Sequence, residues 1–257
     1  MHKILIVIVS YNVCRYMQNC IQSIRKHLPA DTYKICVVDN ASTDGVAEWL
    51  ATQQDILLIR NSENVGFGPA CNQGVNATKG TEYEDCDVFL LNNDTILTKN
   101  SVQRLMDALY SSEDVGAVGA MSNSSGNLQT YDFGTEDPDK CIQIFENTTF
   151  PPENRLMERV RLCGFAMLFR RNVWDAIGGF DEDFAPGYYE DDAISMEVMK
   201  LGYRLLLVKD SFIYHFGSAG FSKGSNLHLA IEHHELFIKK YNFDLLPYVY
   251  ADPAVLL

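Results

Sequence analysis

One stretch gathers the residues best suited to chemistry. Gly178-Gly179-Phe180-Asp181-Glu182 leads through Tyr188-Tyr189 into Glu190-Asp191-Asp192. Apolar Ile194, Val198 and Leu201 follow at helical spacing, which predicts a helix beginning at the acidic run. Asp191 and Asp192 then lie at a helix N-terminus, where the macrodipole favours an ionised carboxylate. A carboxylate held ionised at the mouth of a fold is what a general base requires. The same two residues would also serve simply as a helix cap. The stretch alone leaves both readings open.

A second set lies in the first half of the chain. Apolar run Ile4–Val9 is followed by Ser10-Tyr11-Asn12, and Tyr33–Val38 by Asp39-Asn40-Ala41-Ser42-Thr43-Asp44-Gly45. Ile56–Ile59 leads to Asn61-Ser62-Glu63-Asn64-Val65-Gly66-Phe67-Gly68, and Val88–Leu91 to Asn92-Asn93-Asp94. Turn chemistry accounts for Asn, Asp and Gly after any one run. Four consecutive runs ending in hydrogen-bonding residues point to one polar site, because ligands of open α/β sheets bind beyond the carboxyl ends of the strands.

The elements that must position these residues alternate. Between the strand runs lie helical stretches over Cys14–His27, around Val46, Trp49 and Leu50, over Pro69–Thr78 and over Ser101–Leu109, with Val115–Met121 a fifth strand. Alternation of this kind implies a parallel sheet with right-handed crossovers. The strands are apolar without a polar alternate, as expected when helices cover both faces. From Ser122 to about residue 160, Ser, Asn, Gly, Asp and Pro dominate, and the expectation is an irregular insertion. Leu162–Phe169, Tyr203–Val208 and Ser211–Tyr214 read as further strands, and Leu227–Tyr241 as a last helix. The division expected is a single domain over 1–245, with halves 1–121 and 161–245 around the insertion, and a loose extension over 246–257.

Composition narrows the class. The 257 residues carry a formal net charge of −13, with 47% hydrophobic and 21% charged residues. That balance is globular and argues against nucleic acid as a partner. No apolar run reaches the roughly 18 to 20 residues needed to span a bilayer. The seven cysteines are scattered without a C-x-x-C pair, so reduced thiols in a cytoplasmic compartment are expected. The first strand lacks G-x-G-x-x-G, and no G-x-x-x-x-G-K-[ST] occurs, which sets aside a Rossmann dinucleotide site and a P-loop.

The motifs above recur in order with Cys163-Gly164-Phe165-Ala166-Met167, Arg170-Arg171 and His215. Together they resemble family 2 glycosyltransferases of the GT-A fold, in particular the branch that includes bacterial rhamnosyltransferase-like enzymes. The resemblance covers roughly residues 3 to 240. It implies an α/β fold with a mostly parallel central sheet and helices on both faces. The N-terminal half would bind the nucleotide and the C-terminal half the acceptor.

The resemblance also implies roles. Asp39 would accept from the donor base, while Ser10, Tyr11, Asn12 and Asn64 would line the nucleoside pocket. Gly66 and Gly68 would let the backbone approach the ligand. Asn92-Asn93-Asp94 occupies the place of the family's D-x-D, with Asp94 holding Mg²⁺ or Mn²⁺ against the donor diphosphate. Asn92 stands where many members have the first Asp, so one carboxylate is missing and metal affinity before donor arrives should be low. His215 would be a second metal ligand. The Gly/Ser-rich segment through Lys223 is a candidate flap over the diphosphate.

Several residues have two readings. Trp174 and Phe180 either stack on a sugar or pack in the core, and Arg170 and Arg171 either touch phosphate or end a strand. His228, His233 and His234 read as surface residues. Asp191 is expected to act as general base in an inverting transfer, with Asp192 as a cap. The implied donor is a UDP- or dTDP-sugar. The implied acceptor is a glycan or lipid-linked hydroxyl in bacterial surface polysaccharide synthesis, with the chain peripheral to the membrane at most. The alternatives are a sugar-nucleotide-binding partner without transfer activity and a sugar nucleotidyltransferase. The latter usually carries a glycine-rich basic triphosphate loop, and Ser10-Tyr11-Asn12-Val13-Cys14 stands in its place.

Overall fold

The structure, a computed structural model, describes residues 3–125, 128–217 and 227–248. Its strands and helices follow the alternation of the sequence. In chain order they are β1 (Ile4–Ser10), α1 (Cys14–His27), β2 (Tyr33–Asp39), α2 (Val46–Ala51), β3 (Ile56–Arg60), α3 (Phe67–Asn76), β4 (Asp87–Leu91), β5 (Thr95–Leu97), α4 (Ser101–Leu109) and β6 (Val115–Met121). The second half adds α5 (Pro138–Glu146), β7 (Leu156–Arg159), β8 (Ala166–Phe169), α6 (Arg171–Ile177), α7 (Glu190–Lys200), β9 (Arg204–His215) and α8 (Leu227–Tyr241).

The strands form one sheet in the order β3-β2-β1-β4-β8-β6-β9-β5, with β7 also pairing with β9. Strands β3, β2, β1 and β4 are parallel, and β6 and β9 point the same way because β8 runs antiparallel to both β4 and β6. The register places Ser10 beside Asp39 at the carboxyl edge. The reversal at β8 brings its amino end, next to Gly164 and Phe165, to that same edge, since Leu91 pairs with Ala166.

Both faces are covered, which is why the strands lack a polar alternate. Ile4, Ile6 and Ile8 pack with Met17, Ile21 and Ile24 of α1, Leu50 of α2 and Leu105 of α4. Leu5, Val7 and Val9 face the other way, toward α3, α5, α6 and α7. A satellite cluster of Val160, Phe184, Ala193, Phe237 and Leu245 fixes α8 and the following turn against α7.

Two expectations need correction. The segment 122–160 is not irregular throughout: Asp137 caps α5 by accepting from the Lys140 N–H, and β7 pairs with β9. Phe145 and Cys141 anchor α5 in the core, a signal masked in the sequence by the polar residues around them. The two strands expected over Tyr203–Val208 and Ser211–Tyr214 are a single strand, β9. Its register on β6 shifts between Ala120 and Met121, so one strand serves β6 at its start and β5 at its end. Of the extension expected over 246–257, a short turn at Leu246–Tyr248 is held by Tyr248 stacking on Phe243, and the rest lies outside the described residues.

Candidate active site

The β1 and β2 ends build the first part of the site. Ser10 and Asp39 are buried, and neither Ser10 Oγ nor Asp39 Oδ1 has a hydrogen-bond partner. Asp39 Oδ2 accepts from the Ser42 N–H at 3.2 Å. Leaving a buried acceptor unsatisfied costs about 1–3 kcal/mol, which makes this carboxylate oxygen a candidate to accept from a ligand. Tyr11 is exposed beside it. Asn12, at φ 54°, is occupied structurally: its Oδ1 accepts from the Thr43 N–H at 2.8 Å, and its own N–H donates to Ser42 Oγ.

Asn64 likewise holds the loop. Its Oδ1 accepts from Asn40 Nδ2 at 3.1 Å and from the Gly66 N–H at 2.9 Å. Gly66 has φ +92°, and a Cβ there would meet Pro186 Cα at 2.7 Å. The close approach that demands glycine at Gly66 is therefore made by the chain leading into α7, with the Phe67 N–H donating to Pro186 O. A Cβ on Gly68 would lie 3.1 Å from Phe180 Cβ.

The β4 and β9 ends build the second part. Asn93 Nδ2 donates to Val9 O at 2.7 Å, which ties β4 to β1 and commits this side chain to structure. His215 Nε2 lies 3.1 Å from Asp94 Oδ1 and 3.4 Å from Asn92 Nδ2. His215 Nδ1 is 2.7 Å from Ser124 O, a carbonyl that can only accept, so a ring proton is assigned to Nδ1, and Nε2 faces the Asp94 carboxylate. Phe165 stacks on the ring at 5.2 Å.

The donor set fits a divalent cation. The Asp94 carboxylate and the His215 imidazole, 3.1 Å apart, would be the side chains to hold it. Among the described residues no group of three or more His, Cys, Asp or Glu could hold a metal.

The third part is acidic. Asp191 Oδ2 accepts from the Gly164 N–H at 2.7 Å, while Asp191 Oδ1 and Glu190 Oε2 are buried without a partner. Arg161 approaches Asp192 at 3.4 Å. Tyr188 and Tyr189, at φ 73° and 68°, make the sharp entry to α7; left-handed backbone in two successive non-glycine residues is strain of the sort found at functional sites. A cavity of about 330 Å³ opens here, lined by Arg161, Tyr188, Glu190, Asp191 and Leu246 among others. A larger one of about 690 Å³, between α1 and α4, lies at the opposite edge by Ile4 and Tyr110, away from these groups.

Burial reverses the electrostatics read from sequence. The expected ionising effect of the helix N-terminus is outweighed: burial raises the Asp191 carboxyl above its ordinary value, against the lowering pull of Arg161 and the Gly164 N–H. Glu190 is raised by burial and then by the Asp191 charge. Asp192 is pushed up to about 6 by burial, with Arg161 opposing. The Asp192 carboxylate, expected as a cap, faces Arg161.

The profile of Glycosyl transferase family 2 matches residues 5–178. The chain belongs to this family. An uncharacterised protein of Mycobacterium tuberculosis is 29% identical over 157 residues, covering 60% of this chain and 55% of that one, so this chain spans about half the length of that relative. An N-acetylglucosaminyl-diphospho-decaprenol L-rhamnosyltransferase of M. tuberculosis is 25% identical over 227 residues, covering 79% of this chain and 73% of that one. Among solved structures, a mannosyltransferase of Pyrobaculum calidifontis in complex with GDP-Man and Mn²⁺ superposes with a TM-score of 0.66 at 18% identity, over 96% of this chain and 68% of that one. The fold is GT-A.

The remaining candidates of this family 2 chain fall elsewhere. Arg170 lies at the amino edge of the sheet, donating to the carbonyls of Val115, Leu109 and Ser112, and Arg171 pairs with Asp175. Both arginines end a strand. Trp174 and Phe180 are core residues packed edge to face. His228 is exposed as expected, but His233 is buried against Gly187 O at 2.9 Å, and His234 stacks on Tyr189. Lys223 and the proposed flap lie outside the described residues. Sequence reasoning missed Arg161, Gly164 as the partner of Asp191, and Leu246. A lone arginine beside the apolar run at Leu162 was the available signal for the first.

Proposed function

We propose that the chain catalyses inverting transfer of a glycosyl group from a nucleotide-diphosphate sugar to a hydroxyl of a glycan or lipid-linked acceptor. The observation that carries this reading is the Asp191 carboxylate, held by the Gly164 N–H beside a cavity, at the sheet edge that also carries Asp94 and His215. In the reaction the acceptor oxygen bonds to the anomeric carbon, the bond from that carbon to the diphosphate oxygen breaks, and the acceptor proton passes to Asp191. No covalent enzyme intermediate is needed.

Asp39, with its unpartnered Oδ1, accepts from the N–H of the donor base, and Ser10 and Tyr11 flank it. Asn12, Asn64, Gly66 and Asn93 shape this pocket through the loop contacts described above. Asp94 and His215 hold Mg²⁺ or Mn²⁺, with Asn92 beside them. When bound, that cation neutralises the charge developing on the diphosphate. The donor is a UDP- or dTDP-sugar; the neighbour's GDP-Man complex makes GDP-sugars a further arm of the test. Tyr188 and Leu246 offer an acceptor ring an apolar wall above Asp191. The rhamnosyltransferase relative, by its name, acts on a lipid-linked diphosphate. That supports a place in surface polysaccharide synthesis at the inner face of the membrane. Among the described residues no helix is long and apolar enough to cross a membrane.

The test is thermal unfolding with UDP-, dTDP- and GDP-sugars, each with and without Mn²⁺. A ligand at 100 times its Kd stabilises by about 2.7 kcal/mol, which is readily seen in Tm. Stabilisation by one donor family, stronger with Mn²⁺, is expected. A flat response across all donors would overturn the reading.

A further inference from the structure

The loop that follows β6 reaches both halves of the site. It is closed on itself, with the Ser122 N–H donating to Gln129 O at 2.7 Å and the Tyr131 N–H donating to Ser122 O at 2.8 Å. From this base two side-chain amides extend in different directions.

Asn123 pairs with the main chain of His215. Its Nδ2 donates to His215 O at 3.0 Å, and its Oδ1 accepts from the His215 N–H at 2.8 Å. The next residue supplies the carbonyl, Ser124 O, that receives the ring proton of His215. Backbone placement and ring orientation of His215 are thus both set by the same dipeptide. Gln129 is fully buried. Its Nε2 donates to Ala120 O at 3.0 Å, and its Oε1 accepts from the Cys163 N–H at 2.8 Å. The residue after Cys163 is Gly164, whose N–H holds Asp191. Each amide has both ends satisfied, so each has one orientation, and a flip would set donor against donor.

We infer that Asn123 and Gln129 are positioning residues: one loop fixes His215 through Asn123 and the Gly164–Asp191 pair through Gln129, and so sets the spacing between the leaving-group side and the proton acceptor. This rests on the proposed transfer reaction. Neither amide lies among the groups assigned to substrate, so each acts through the residue it holds. The two contacts are independent, and the two sides of the reaction should fail separately when each is removed.

The variants are Asn123→Ala and Gln129→Met, the latter filling similar volume without hydrogen bonds. The readouts are UDP and dTDP affinity with Mn²⁺ by calorimetry, kcat of transfer, the ¹⁵N signals of the His215 ring and the exchange rate of the Gly164 amide. Loss of a residue that orients a metal ligand typically costs about 10–100-fold in metal affinity or activity. Asn123→Ala is therefore expected to weaken Mn²⁺-dependent nucleotide binding about tenfold and to mix the ring tautomers of His215, with Gly164 exchange unchanged. Gln129→Met is expected to lower kcat about tenfold and speed Gly164 exchange, with nucleotide affinity unchanged. Equal loss on both sides in either variant, or an unaltered His215 ring signal in Asn123→Ala, overturns the inference. If Gln129→Met does not fold, half-buried Asn123 decides alone. A wild-type chain that binds no nucleotide would count against the proposed function, whereas the ring and amide signals would still report on the loop.

Discussion

Gly164 donates its backbone N–H to Asp191 at 2.7 Å, and a Cβ on residue 164 would collide with the same carboxylate. One glycine thus both holds the candidate base and leaves it room. Gly164→Ala must push Asp191 aside, and misplacement of a catalytic group by about 1 Å costs on the order of 10²-fold in rate. We expect kcat to fall by about that factor while nucleotide affinity is retained, read by steady-state kinetics beside calorimetry. A fully active Gly164→Ala chain would mean that Asp191 does not work from this position.

Asp191→Asn keeps the shape and removes the proton acceptor. General-base catalysis contributes typically about 10²–10⁴-fold, so turnover should drop by that range with donor binding nearly intact. The pH profile adds a second check. A base works only when ionised, and burial raises the Asp191 carboxyl. The acid limb of kcat should therefore fall at higher pH than an ordinary aspartate would give. An acid limb at the ordinary aspartate value would place the base elsewhere.

The sequence made the sheet edge legible because each strand run ends abruptly in Asn, Asp or Ser. Periodicity and turn chemistry are local, and both are written in consecutive residues. Asp39 and Asp94 stand out this way, Asp191 by the acidic start of a helical periodicity, and the roles of all three rest on the family resemblance. The partners that decide their chemistry do not stand out. Gly164 meets Asp191 across 27 positions, and Asn123 meets His215 across 92. Burial likewise has no local signature in a charged run: Glu190-Asp191-Asp192 looks like a solvated helix start, yet its carboxyls are desolvated. Segment 122–160 misled for the same reason, since its order comes from Phe145 packing on a distant core.

The three carboxyls at the start of α7 also predict how stability varies with pH. All are raised above their ordinary values, so between about pH 4 and the raised values the folded chain binds more protons than the unfolded chain. Their contribution to stability is then greatest on the acid side of that window and falls as pH rises through it. For Asp192 alone the window closes at about 6. Glu190→Gln removes one ionisation and should flatten the fall. A gain of 1 kcal/mol raises Tm by about 2–4 °C in a chain of this size, so Tm measured at pH 5 and pH 8 distinguishes the variant. An unchanged difference between the two pH values would exclude Glu190 as a contributor.

Leu246 tests the acceptor side without touching the donor side. It is half exposed and lines the cavity that contains Asp191. Leu246→Ser removes most of an apolar side chain worth about 1.5–3 kcal/mol when fully buried, so partial burial under an acceptor ring predicts a loss of about 1 kcal/mol, or roughly fivefold in acceptor KM. Donor KM should not move. A change in donor KM instead would relocate the cavity's ligand.

Asp94 and His215 make the last prediction. If Asp94 and His215 hold the cation as proposed, with Asn92 in place of a further carboxylate, affinity for Mn²⁺ alone should be weak and should tighten when a nucleotide diphosphate is present. Asp94→Ala removes the carboxylate, and His215→Ala the imidazole. The first should therefore abolish the Mn²⁺-dependent part of nucleotide binding, while the second reduces it by about 10–100-fold. The paramagnetic signal of Mn²⁺ titrated with and without UDP or dTDP reads both effects directly. Tight Mn²⁺ binding in the Asp94→Ala chain would show that the cation is held by other groups, and the pairing at 3.1 Å would then be an ion pair between His215 and Asp94 rather than half of a metal site.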